Sequence, residues 1–128
     1  MVESLNTRAD LTTDGISFLG IGARYGKILI GDHAFEFFNE KNIQDYIQIP
    51  WSEVNYVQAQ VSHNKIGRRF KFNTTIGELD FSSKDAGKIL KGIREYIGND
   101  KVVRAPTLWQ KIKNIFLKLK FKLKRQKK

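Results

Sequence analysis

The chain has 128 residues, 41% of them hydrophobic, with 10 Gly, 2 Pro, no Cys and 23 Lys+Arg against 13 Asp+Glu for a net charge of +10. That length suits one domain with an appendage and excludes two large domains, while the lack of cysteine excludes a disulfide framework, a thiolate zinc site and a Cys nucleophile. Residues 1–100 hold 12 Lys+Arg and all 13 acids, a balance of −1, whereas residues 101–128 hold 11 Lys+Arg and no acid, the pattern of a near-neutral body brought to an anionic membrane, nucleic acid or acidic protein.

The first twenty residues lack the basic start and apolar run of a secretory signal, so a reducing, cytoplasmic setting is expected. Ala9 to Leu11 and Ile16 to Leu19 read as strands flanking Thr12-Thr13-Asp14-Gly15, because Asp-Gly between apolar runs is a hairpin signal. Gly20 to Lys27 reads as a flexible loop, since Ile28 stands where a phosphate-binding P-loop needs Ser or Thr. Lys27 to Ile30 then turns at Gly31-Asp32 into Ala34 to Phe38, and Asn39 to Asn42 closes that unit. Asp45 to Ile49 and Val54 to Val61 follow, divided by Pro50 to Glu53. Arg69 to Phe72 and Glu78 to Phe81 alternate at period two around a turn at Thr74 to Gly77.

One helix follows. Ser82 or Ser83 offers an N-cap, Ala86, Ile89, Leu90, Ile93 and Ile97 recur at helical spacing, and Gly98 offers a stop. The expected fold is α+β, mainly β. It is a small antiparallel curled barrel or orthogonal sandwich of about seven strands capped by one helix, the pleckstrin-homology-like arrangement, over residues 1–98.

Residues 99–106 read as a linker and residues 107–128 as a basic amphipathic helix and tail. Leu108, Trp109, Ile112, Ile115, Phe116, Leu119 and Leu123 fall on one face about 120° wide at about 100° per residue. Lys111, Lys113, Lys118, Lys120, Lys122 and Lys124 flank it. Leu117 to Lys124 also alternates at period two, which leaves a strand reading open there, although the spacing from Trp109 to Phe116 has no strand explanation. The apolar runs are far short of the roughly 20 residues a bilayer span needs, so the tail is expected to lie on a membrane rather than cross it. Trp and Phe on a broad apolar face with Lys along its sides describe an interfacial helix. Each Lys or Arg near an anionic leaflet contributes about 1 kcal/mol. Packing of the apolar face on the body, or contact with nucleic acid, are the alternatives.

Little here supports catalysis. His33 and His63 adjoin turns, His33 and Glu36 face opposite sides of a strand, and no close carboxylate pair suits acid–base hydrolysis. No enzyme activity, metal or cofactor is expected. Lys65, Arg68, Arg69 and Lys71 cluster near a hairpin, either as a phosphate clamp or as a solvated strand face.

Several ordered blocks carry a resemblance to a known family. They are Ser4-Leu5-Asn6-Thr7, Tyr25-Gly26-Lys27-Ile28, Ile30 to Asn39, Asp45 to Trp51, Phe81 to Asp85 and Ile93-Arg94-Glu95-Tyr96. Across about residues 4–105 the chain resembles the ManO proteins, encoded beside mannose-class sugar phosphotransferase permeases of Gram-positive bacteria. The resemblance implies a non-enzymatic accessory or regulatory protein of a mannose/glucose phosphotransferase system, with no catalytic residues to carry over. The expectation is a body that contacts the membrane-embedded permease through Tyr46, Ile47, Pro50, Trp51, Arg68 and Arg69, with Trp51 equally readable as a core residue at a strand junction. The tail, through Trp109, Phe116 and their neighbours, would hold it on an anionic lipid surface, peripheral to the inner face of the cell membrane. The alternative is a cytoplasmic transcriptional regulator of the mannose operon that uses the tail on DNA.

Overall fold

Inward-facing Ile28 and Ile30, Phe70 and Phe72, and Phe81 are fully or almost fully buried, and their period-two spacing explains why the flanking segments are strands. The computed structural model describes residues 3–19, 22–42 and 44–105. In chain order the elements are β1 (Ala9–Ser17), β2 (Arg24–Gly31), β3 (Ala34–Asn39), β4 (Tyr46–Pro50), β5 (Val54–Ser62), β6 (Lys65–Thr74), β7 (Gly77–Ser82), α1 (Ala86–Ile97) and β8 (Val102–Arg104). Short 3-10 turns lie at Trp51–Glu53 and Asn99–Lys101.

The described strands form one sheet in the order β4-β3-β2-β1-β7-β6-β5-β8. β1 joins its two halves, pairing along its length with β2 but with β7 only at Ile16–Ser82 and Ser17–Phe81. Phe35 of β3 and Phe72 of β6 lie four places apart in that order, about 19 Å in a flat sheet. Their ring centroids are nevertheless 4.5 Å apart, and Phe35 meets Phe81 at 4.8 Å. The sheet therefore curls until its two halves share one core. Register shifts in β1 and at two places in β5 supply local bending.

Helix α1 covers this core with Ala86, Ile89, Leu90 and Ile93. Its start differs slightly from the expected cap. The capping position is Asp85, which makes no side-chain cap bond, while Ser83 Oγ accepts the Asp85 N–H at 3.1 Å one residue before the helix. Gly98, with φ of 97°, stops the helix as expected.

The Asp14-Gly15 turn is not formed. β1 runs unbroken through it, with Asp14 opposite Lys27 and Gly15 opposite Gly26. The glycines serve close approach instead: a Cβ on Gly15 would lie 2.1 Å from Ile28 Cδ1, and one on Gly26 would lie 2.1 Å from the Phe38 carbonyl oxygen. Arg24 to Lys27 likewise belong to β2 and not to a loop. A tight hairpin turn lies instead at His63-Asn64, where φ values of 52° and 63° match a two-residue type I′ connection between β5 and β6.

The 99–106 stretch expected as a linker contains β8, which pairs parallel to β5 through Val57–Val102, Gln58–Val103 and Ala59–Arg104. The sheet is therefore mixed and has an eighth strand. β8 takes up backbone groups along the outer side of β5 that would otherwise lack sheet partners, and Ala105 N–H continues the bonding to Ala59 O at 2.8 Å.

Candidate functional site

Where β1 passes from β2 to β7, the surface holds a groove of about 480 Å³. Asp14, Gly15, Ile16, Tyr25, Gly26, Lys27, Glu40, Arg68, Ser82, Ser83 and Lys84 line it. Backbone bonding fixes this convergence. Ser83 N–H donates to Arg68 O at 2.9 Å, and Ser83 Oγ donates to Asp14 O at 2.7 Å, so β6, the β7–α1 junction and β1 meet at one serine. Lys27 forms an ion pair with Asp14. That hydrogen bond holds the Asp14 carboxyl below its ordinary range, with Lys84 adding attraction, and raises Lys27.

The four basic residues read from sequence as one hairpin cluster have separate roles. Arg68 faces the groove. Arg69 lies with its guanidinium carbon 4.2 Å from the centroid of the Phe18 ring, a cation–π contact. Lys71 pairs with Glu78 at 3.5 Å, and Lys65 is exposed beside the turn. His33 and His63 are both exposed at turns.

Tyr46, Ile47, Pro50 and Trp51 lie together along β4 and the turn after it. Tyr46 is exposed and stacks on Phe38 at 6.4 Å, whereas Ile47 packs against the core. Trp51 is half-buried: its ring stacks on Tyr96 of α1 at 5.2 Å and 5°, and its Nε1–H donates to Gly31 O at 3.0 Å. The indole thus uses its polar edge within the molecule.

A polar network at the N-terminal segment was not legible in the sequence. Glu36 has no exposed surface, and its carboxylate accepts from Ser4 Oγ, Leu5 N at 3.2 Å, Asn6 Nδ2 at 2.6 Å and Gln48 Nε2 at 2.6 Å. Asn6 Oδ1 in turn accepts from His33 N and Ala34 N at 2.7 and 2.8 Å. Asp32 accepts from the Thr7 hydroxyl and from the Thr7 and Arg8 N–H groups, and the Thr7 hydroxyl bond above all holds its carboxyl well below the usual range. Beside it, Tyr96 donates to Asp10, and Arg8 bonds both. The Tyr96 contact lowers Asp10, and the same bond raises Tyr96. The only sequence signal was the block Ser4-Leu5-Asn6-Thr7, whose partners lie some 25 to 32 positions away.

Trp109, Lys111, Ile112, Lys113, Ile115, Phe116, Lys118, Leu119, Lys120, Lys122, Leu123 and Lys124 lie outside the described residues. Among the described residues, no helix is long and apolar enough to cross a membrane, and no group of three or more His, Asp or Glu is placed to hold a metal ion.

The fold and groove define a mainly β module, a curled mixed sheet closed by one helix, with a mixed-charge surface site. A family described as a domain of unknown function (DUF956) matches residues 1–116, and the chain belongs to that family. Among solved structures, the chain is similar to the C-terminal domain of an unknown protein from Leishmania infantum. The TM-score is 0.61 at 10% identity, covering 70% of this chain and 84% of that one, a likeness of fold alone. No curated protein matches the sequence.

Proposed function

We propose that this chain is a ManO-type, non-enzymatic accessory protein of a mannose/glucose phosphotransferase system, held on the inner face of the membrane by its basic tail and contacting the sugar permease with its folded body. The observation that carries this reading is the segregation of charge. Residues 101–128 hold 11 Lys+Arg and no acid, and Trp109, Ile112, Ile115, Phe116, Leu119 and Leu123 recur at helical spacing in the sequence. The ordered blocks from Ser4 to Tyr96 support the ManO assignment. A strand order in which β1 is shared between two halves, with a helix across the core, supports a pleckstrin-homology-like body, a scaffold suited to binding rather than to chemistry. Such a protein modulates uptake by binding one transporter state more tightly than another.

The test is co-sedimentation with neutral and anionic vesicles at two salt concentrations, comparing the full chain with one ending at Ala105, a cut that leaves β8 in place. The full chain is expected to pellet with anionic vesicles, less at high salt, and the shortened chain to stay in solution. Failure of the full chain to pellet, together with tail-dependent, sequence-selective retention of duplex DNA, would replace this reading with the transcriptional one.

A further inference from the structure

The groove at the β1–β2–β7 corner contains more cationic capacity than its own acids use. Three cations and two carboxylates line it; both carboxylates act on Lys27, and Asp14 is also attracted, more weakly, by Lys84. Asp14 pairs with Lys27, and Glu40 lies within Coulombic reach of Lys27. Arg68 and Lys84 have no carboxylate within 4.0 Å among the described residues. They border Ser82 and Ser83, both buried, and the Ser83 backbone and hydroxyl are locked by bonds to Arg68 O and Asp14 O. Arg68 and Lys84, neither of them in an ion pair among the described residues, therefore flank a serine junction fixed by hydrogen bonds.

We infer that this groove is a binding site for a phosphate monoester or diester, with Arg68 and Lys84 on the phosphoryl oxygens. A guanidinium fork matches phosphate geometry bidentately, and an ammonium adds a point charge beside it. A monoester has about −1.5 to −2 charge at neutral pH, which Arg68 and Lys84 together balance. The volume of about 480 Å³ lies within the usual 300–1,000 Å³ range of small-ligand sites, roughly, and is more than a bare anion fills. The site is built entirely from residues of the body.

The experiment is amide-resolved NMR on the full chain titrated with inorganic phosphate and with glycerol 3-phosphate, alongside sedimentation with phosphatidylglycerol vesicles. Wild type is compared with the double variant Arg68→Gln/Lys84→Gln and with Lys71→Gln, a control on the same strand as Arg68; thermal melts establish that all are folded. Saturable shifts at Gly15, Gly26, Ser82 and Ser83, weakened at least tenfold in the double variant and unchanged in Lys71→Gln, identify a soluble phosphate ligand. If these amides stay unmoved but vesicle binding falls severalfold in the double variant alone, the phosphate belongs to a lipid headgroup. Absence of both effects, or equal losses in Lys71→Gln, overturns the site, whatever the tail does on vesicles.

Discussion

Glu36 sits in the middle of β3 with no exposed surface, yet its neighbours are a serine, an asparagine, a glutamine and a backbone N–H, and not a cation. Each carboxylate oxygen accepts from two donors, so the side chain works as a four-way acceptor between the N-terminal segment and β4. Glu36→Gln keeps the shape but turns one acceptor into a donor that faces two other donors. The expected loss is about 1–3 kcal/mol, read as a lower urea midpoint at unchanged slope. Nothing in the local sequence discloses this: in Ala34 to Asn39 the alternation of Phe35 and Phe37 with Glu36 looks like an ordinary exposed polar face. What makes Glu36 internal is the chain at Ser4 to Asn6, more than two strands away in sequence, lying over that face.

At the level of the elements, the segment before β1 is secured by Asp32 in the β2–β3 turn. Asp32 is held below its unfolded pKa, so the stability it contributes is present above about pH 3.9 and is lost as pH falls below that value. Asp10 and Asp14 shift in the same direction. Tyr96 is raised, so its contribution is present below about pH 10 and is lost as pH rises through the folded value. Stability should thus fall at both ends of the range. Asp32→Asn is expected to lower the urea midpoint at pH 7 and to flatten the decline as pH falls below about 4, measured by unfolding at each pH. Elements with strong periodicity, such as Arg69 to Phe72 and the stripe from Ala86 to Ile97, were legible from the chain. Asp14-Gly15 was misread because a glycine that admits a neighbouring Ile28 side chain and one that admits positive φ look the same in a sequence.

For the whole molecule, the Phe35, Phe70, Phe72 and Phe81 cluster makes two half-sheets one cooperative unit. Phe35→Ala is expected to cost about 3–5 kcal/mol. Near-UV and far-UV circular dichroism should still report coincident transitions, since neither half has a core of its own; separated transitions would refute the single unit. The overall mainly β plan with a closing helix could be read from strand spacing, but β8 could not. Three residues, Val102 to Arg104, carry too short a pattern, and their pairing is decided by the vacant side of β5. That pairing has a mechanical consequence. Ala105, the last described residue, is bonded to Ala59 at the sheet edge and does not hang from the loose end of a helix. Under the proposed membrane role, the basic segment 106–128 is therefore joined to the body at a point that sheet bonding holds stationary.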